Sequence, residues 1–455
     1  MEGNSMSVRG GLDRLLSEES FYKVVLCLLV GLPVVEFITE VITRLDDRII
    51  PSFFEPQIIA LFGILGTLMT VGYFIASFSR KRRLRTCDIF YFTLILFMVI
   101  SGVFSLNPGV FSGDSPFYCE NPLHFLAYYW LFFAGTIIDN DNYRKNILFC
   151  FTGVAIFESI FGFLHTFDIE LSYSLYYHAE RTAYGLTQNS NFYGGLMVFL
   201  IAGASGLYIF SDKLVSSKAI KCALPLVSAF LFYTMLGSRA RLAWVGFAAL
   251  TAFYVISLII MYRKDKEAVK PAIKHFLILW GAYFAVFLIA FIFTDYIREA
   301  TVRTYWEVAN GDADKIGSDR FYNWKMGLMS VPKHWLSGVG LDNYRYVFIS
   351  DPNYQEGMYL QDKAHNEYIH ILVTQGVPSL LNYLALLIFS LIGAVKSVLN
   401  EVDSNKRTFT WIFLGMFAAY VVQALFNSSI TYVVIYFWFV LGLITPRTEI
   451  YRKSK

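Results

Sequence analysis

The sequence predicts an all-α integral membrane protein of about twelve transmembrane helices, with its largest hydrophilic loop on the non-cytoplasmic side. Three observations predict it. Of 455 residues, 56% are hydrophobic and only 16% charged, where a soluble domain carries roughly 25% charged residues. The apolar residues are clustered in runs of about 20 that hold at most one or two ionisable groups, the length that crosses roughly 30 Å of hydrocarbon. Lysine and arginine alternate between rich and poor loops. Water cannot satisfy backbone groups inside a bilayer, so each apolar run is expected to be a helix.

In chain order the spans are expected near 21–43, 57–79, 88–105, 123–139, 146–165, 191–210, 220–237, 242–262, 275–294, 368–395, 408–427 and 429–445. The first follows a polar stretch and is too long for the apolar core of a cleavable signal, so it is expected to stay as a span. The second ends in RKRRLRTC at 80–87, and the third leads into LNPGVFSGDSPFYCENP at 106–122. Spans four and five flank 140–146, spans six and seven flank 211–221, and spans eight and nine flank 263–274. With 80–87, 396–407, Lys23 and the two tails, these loops hold 25 of the 38 lysines and arginines. The opposite set holds the other 13, eight of them in one long loop. Basic residues resist translocation, which puts the first set and both termini in the cytoplasm. An even number of spans agrees with that placement.

The chain thus divides into helices one to nine (1–294), a long extracytoplasmic loop (295–367), and helices ten to twelve with a cytoplasmic tail (368–455). A loop of that length in a compact protein is functional or disordered. Trp306, Trp324, Met326, Leu328, Trp335 and Leu336 argue against disorder. VRTYWEVAN and DRFYNWKMGLMS read as short amphipathic helices at the outer interface, where tryptophan and tyrosine concentrate. The net charge of +3 is small and dispersed, which does not suggest nucleic-acid binding. Cys27, Cys87, Cys119, Cys150 and Cys222 are too few and scattered for a disulfide framework. No Cys/His cluster suggests a metal.

Four polar segments fall on the outer face. ERTAYGLTQNSN places Arg181, Asn189 and Asn191 before span six. These residues can bind sugar hydroxyls or phosphate, or can simply form a polar loop with an asparagine helix cap. GSRARLAW puts Arg239 and Arg241 in a hairpin of a few residues on the side where positive charge is disfavoured. Phosphate binding through the planar guanidinium fork explains this, as does snorkelling to lipid headgroups. In SDRFYNWKMGLMSVPKHWLSGVGLDNYR, Arg320 lies in an expected interfacial helix, and Gly338-Val339-Gly340 permits a tight turn or close backbone approach. No strand precedes that GVG, so a dinucleotide fingerprint is not indicated. Finally, His365, Asn366 and Glu367 stand where the long loop enters span ten. A histidine there can act as a general base or be merely solvated. Within span five, Glu158 and His165 are seven residues apart on one face, either a functional pair or a structural one.

Taken together and in this order, these segments resemble the O-antigen ligase and polysaccharide polymerase superfamily, bacterial membrane glycosyltransferases of the GT-C type. The resemblance rests on Arg181 with Asn189 and Asn191, on Ser238-Arg239, and on Arg320 with Trp324 and Gly338-Val339-Gly340. It rests also on His365-Asn366-x-Tyr368 followed by Gly376 and Leu380. It covers about 180–385, and the earlier spans match in topology only. The chain has Asn189-Ser190-Asn191 where the family often has Asn-Pro-Asn, and Arg241 is a second arginine after the Ser-Arg pair. Which arginine meets the substrate is therefore open.

The resemblance implies a glycan donor linked to undecaprenyl diphosphate at the outer leaflet of a bacterial plasma membrane. The glycan passes to a hydroxyl on a glycan, lipid or protein acceptor, with neither nucleotide nor metal. Arg239 and Arg320 would stabilise charge on the leaving diphosphate, with Arg181 and Arg241 as further contacts. His365 would take or orient the acceptor proton, and Asn366 and Glu367 would position sugar. Ligase and polymerase share this donor chemistry. A polysaccharide or lipid-linked oligosaccharide transporter is the other class of reading. Transporters place charges at the membrane midplane, whereas here the ionisable groups gather at the outer face.

Overall fold

The computed structural model describes residues 14–45, 54–107, 121–171, 180–310, 320–350, 361–428 and 431–449. Among these residues there is no strand, only helices and turns. Each expected span falls on a helix: α1 (Glu18–Leu45), α2 (Phe54–Ser79), α3 (Thr86–Val103), α4 (Pro122–Ile137), α5 (Asp141–His165) and α6 (Ser190–Ile209). After these come α7 (Lys218–Gly237), α8 (Arg241–Lys264), α9 (Lys266–Phe293), two shorter helices α10 (Asp295–Ala309) and α11 (Arg320–Ser330), then α12 (Glu367–Asn400), α13 (Ser404–Gln423) and α14 (Thr431–Ile444). Most of the 106–122 connector, with Cys119, lies outside the described residues.

Ten of the helices are long and apolar enough to cross a membrane. The other two, α4 with 16 residues and α14 with 14, are shorter and lie inside the bundle. They pack backbone to backbone: a Cβ on Gly442 would come within 2.0 Å of the Phe132 carbonyl, and one on Gly135 within 2.4 Å of the Phe439 carbonyl. Small residues at such crossings let helices gain dispersion contacts without a hydrophobic driving force. Helix α6 is buried along its apolar length, as expected of a helix hydrophobic on all sides. By contrast α9 turns Leu277, Phe284, Ile289, Ile292 and Phe293 outward. With the exposed apolar residues of α1, α2, α3, α8 and α12, these make a large outward apolar surface, as suits helices that face lipid.

Several helix ends lie a few residues from expectation, and two of them have identifiable reasons. Helix α9 begins at Lys266 rather than near 275, because Asp265 caps it by accepting from the Glu267 and Ala268 amides at 3.1 and 3.0 Å. Its charged first turns are exposed, so hydropathy understates the helix. Helix α13 stops at Gln423 and gives way to a 3₁₀ turn over Ala424–Phe426, which leaves a polar corner at Asn427 and Ser428.

The start of α1 and the end of α14 meet at one end of the bundle. There the Glu18 carboxylate accepts from the Asn140 amide, and Asp139 is bridged by Arg144, Lys406 and Arg447 at 3.0, 3.0 and 2.9 Å. All the candidate residues named above lie at the other end.

Candidate active site

That other end is built around a broken helix. Pro378 has no amide to donate, and its ring crowds the carbonyl four residues back, that of Thr374. Just before it, Gly376 adopts φ 85° and ψ 172°, a region essentially restricted to glycine. The freed backbone groups are taken up by the 335–340 strap. Val339 donates to the Val373 carbonyl at 2.8 Å, Gly340 to that of Thr374 at 3.0 Å, and the Val377 amide donates to Trp335 at 2.7 Å. Ser101 on α3 adds a second bond to the Thr374 carbonyl at 2.8 Å. Gly338 must be glycine, since a Cβ would fall 2.2 Å from the Thr374 carbonyl carbon. The GVG is thus the splint of a helix break.

The strap and α11 share a small core of Met326, Val339, Tyr344, Val347, Phe348, Ala364 and Val373. Asn323 and Trp324 fasten α11 to the chain entering α12, donating at 2.7 Å to the Lys363 and Ala364 carbonyls. Both expected amphipathic segments are therefore helical, and Trp324 is a fastener.

This scaffold sets out the basic residues in two pairs. In the turn between α7 and α8, Arg239 is left-handed at φ 56°. It donates to the Glu180 carbonyl at 2.7 Å, and its guanidinium carbon lies 4.7 Å from the Tyr296 ring centre. Arg181 sits beside it, also left-handed at φ 57°, with its Nε 3.4 Å from Asp168. In the second pair, Arg241 is bridged to Glu307 of α10. Arg320 reaches the polar corner and donates to the Phe426 carbonyl at 2.9 Å. Arg320 and Arg241 are close enough that their charges oppose each other; burial and that repulsion lower the Arg320 pKa. Among the described residues neither Arg239 nor Arg320 has a carboxylate bridge, whereas Arg181 and Arg241 each have one. Among the described residues, Arg239 Nε is buried with no hydrogen-bond partner. Helix α8 starts on Ala240, where no side chain caps it, so its positive dipole end adds to the same field.

His365 joins this group. It is left-handed at φ 52°, its amide donates to Ser428 at 3.1 Å, and Arg320 is near enough to act on its charge. Burial foremost, then Arg320, His370 and Lys363, push its imidazole down to about 4, so it is neutral at physiological pH. Its neighbours turn elsewhere. Asn366 caps α12, accepting from the Ile369 amide at 3.0 Å. Glu367 points into the bundle between the Tyr383 and Tyr420 hydroxyls at 2.5 and 2.6 Å. Asn189 likewise caps α6 through the Asn191 amide at 2.9 Å. Glu158 and His165 support the loop ahead of it separately. Glu158 accepts from the Leu186 amide at 3.0 Å, and His165 stacks on Tyr184 with ring centres 3.7 Å apart.

Residues 226–384 match the family model described as O-antigen ligase. This segment is similar to the O-antigen ligase superfamily. The match runs from within α7 through the break in α12 and takes in Arg239, Arg241, Arg320 and His365; Arg181, Asn189 and Asn191 precede it. At family level it supports a multi-pass membrane protein of glycosyltransferase type. No curated protein matches the chain.

Sequence reasoning passed over the receiving side of the site. Tyr296, Glu307 and the Phe426–Ser428 corner were not singled out. The corner had a signal: Asn427-Ser428-Ser429 is a run of three polar residues between two apolar stretches.

Proposed function

We propose that the protein transfers a glycan from an undecaprenyl-diphosphate-linked donor to an acceptor hydroxyl at the outer face of a bacterial plasma membrane, as ligase or polymerase. All twelve apolar helices cross the bilayer in this reading, in a GT-C-like arrangement with both termini cytoplasmic. The observation that carries it is the meeting of Arg239, Arg241, Arg320 and the neutral His365 at one bundle end, within the O-antigen ligase segment. Cleaving the anomeric C–O bond leaves a lipid diphosphate. Its charge develops where fixed guanidinium groups already stand, so little reorganisation is needed during reaction. The charge pairing supports Arg239 and Arg320 as the diphosphate ligands, with Arg241 and Arg181 holding α10 and the 180–188 loop in place. Neither metal nor nucleotide is required.

His365 handles the acceptor proton. Without donor, burial and the Arg320 charge disfavour its protonation. A bound diphosphate supplies the opposite charge and raises its basicity towards neutrality, so the base becomes competent when the donor is loaded. Asn366, Asn189 and Asn191 order the helix ends that frame the sugar, and Glu367 acts from inside through Tyr383 and Tyr420. The test is transfer by His365→Ala, with donor binding measured separately. Loss of turnover by about 10²-fold or more with binding retained supports the role. Equal loss of binding would make His365 a diphosphate ligand instead.

A further inference from the structure

At the far end of the same helices from Arg241, Glu367 and Phe426 lies a cavity of about 270 Å³ that the proposed chemistry does not use. Lys213, Lys264 and Arg407 line it, from the segment after α6, the end of α8 and the start of α13. Each donates only to a neutral acceptor: Lys213 to the Ser404 hydroxyl at 3.1 Å, Lys264 to the Leu399 carbonyl at 3.0 Å, Arg407 to the Glu401 carbonyl at 3.4 Å. Among the described residues none of the three forms an ion pair. Asp265 also lines the cavity, but its carboxylate caps α9. Partial burial and the Arg407 charge lower the Lys213 pKa, with the Asp265 charge opposing them in part, so the cations stand close enough to repel one another. Three cations thus face one cavity beside a single lining carboxylate among the described residues.

The walls say which kind of anion would suit it. Met261 and Val398 form its apolar floor, and the exposed Ile260 and Leu399 continue the cavity onto the outward apolar surface of α8 and α12. A soluble anion gains nothing from such a wall, whereas an acyl chain does.

We propose that this cavity binds an anionic phospholipid, with its phosphate held by Lys213, Lys264 and Arg407 and an acyl chain lying along Ile260 and Leu399. The phosphate takes the forked donors of Arg407 and the point charges of the lysines. With the orientation proposed above, on which the choice of leaflet rests, the lipid comes from the cytoplasmic leaflet, which carries anionic headgroups.

The test is native mass spectrometry and thermal stability of the detergent-purified full chain, titrated with phosphatidylglycerol, phosphatidylcholine of the same chains, and inorganic phosphate. Phosphatidylglycerol should bind at least tenfold tighter than phosphatidylcholine, and K213Q/K264Q/R407Q should abolish that preference. Ala268→Trp keeps every charge but fills the cavity, and should weaken phosphatidylglycerol at least tenfold even if the triple variant fails to fold. Lys270→Gln, an ion-paired lysine outside the cavity at the same end, should bind normally. Equal binding of the two lipids, or a preference that survives the triple substitution, overturns the proposal. Inorganic phosphate protecting as well as phosphatidylglycerol at equal concentration would overturn the lipid assignment in favour of a soluble anion. Binding is read without turnover, so this proposal and the glycosyl-transfer reading fail separately.

Discussion

Gly376→Ala tests whether the break in α12 is what holds the site together. Alanine there meets two costs. The backbone at φ 85°, ψ 172° is a glycine-only region that costs other residues about 1–3 kcal/mol. The added Cβ would lie 2.6 Å from the Leu336 carbonyl oxygen and 2.8 Å from that of Trp335, so the strap must move. Moving it endangers the Val377–Trp335 and Val339–Val373 bonds, and each buried polar group left unpaired costs about 1–3 kcal/mol. The sum is a destabilisation of roughly 3 kcal/mol or more. The matched control is Gly153→Ala in α5, where a Cβ meets nothing within 4 Å and loss of glycine's backbone freedom should stabilise by up to about 1 kcal/mol. Denaturant unfolding in detergent micelles measures both, alongside transfer. Equal stability of the two variants would refute the strap-and-break account of how His365 and α11 are positioned.

Three further outcomes follow from the charge pattern. Arg239→Lys and Arg320→Lys should each cut transfer on the order of 10²–10³-fold with normal folding. Arg181→Lys and Arg241→Lys, which can keep their bridges to Asp168 and Glu307, should lose far less; the opposite ranking would reassign the diphosphate ligands. For His365, the folded value of about 4 lies below the ordinary 6.5. The unfolded chain therefore binds the proton first, and stability contributed above pH 6.5 is lost as pH falls from 6.5 towards 4. His365→Gln should flatten that slope in acid unfolding curves, and an unchanged slope would place the titrating group elsewhere. Finally, in a cysteine-free background an impermeant thiol reagent added outside should label Lys333→Cys but not Ser79→Cys. The reverse would invert the orientation.

The bundle was legible because hydrocarbon imposes one solution on each apolar run, and all twelve runs are helical. Helix ends were less so. Hydropathy could not see that Asp265 starts α9 in charged sequence, or that α13 ends at Gln423 to make a polar corner. Of the site, the sequence identified the cationic residues but not their partners. Nothing near Arg241 in the chain announces Glu307, and nothing near Arg239 announces Tyr296, because both lie on α10, more than fifty residues on. The left-handed backbone of Arg181, Arg239 and His365 was equally invisible, since none is a glycine or asparagine. Conversely, Asn189, Asn366 and Gly338-Val339-Gly340 stood out in sequence, yet their visible work is to cap helices and splint a break.

The most direct measurement of the central claim uses the purified protein in lipid nanodiscs with an undecaprenyl-diphosphate-linked glycan and an acceptor, and no nucleotide. Undecaprenyl diphosphate should be released in proportion to a new glycosidic bond, with that release abolished in R239K/R320K. In sealed vesicles, passage of the intact lipid-linked glycan across the bilayer without any bond broken would contradict it and make the protein a transporter.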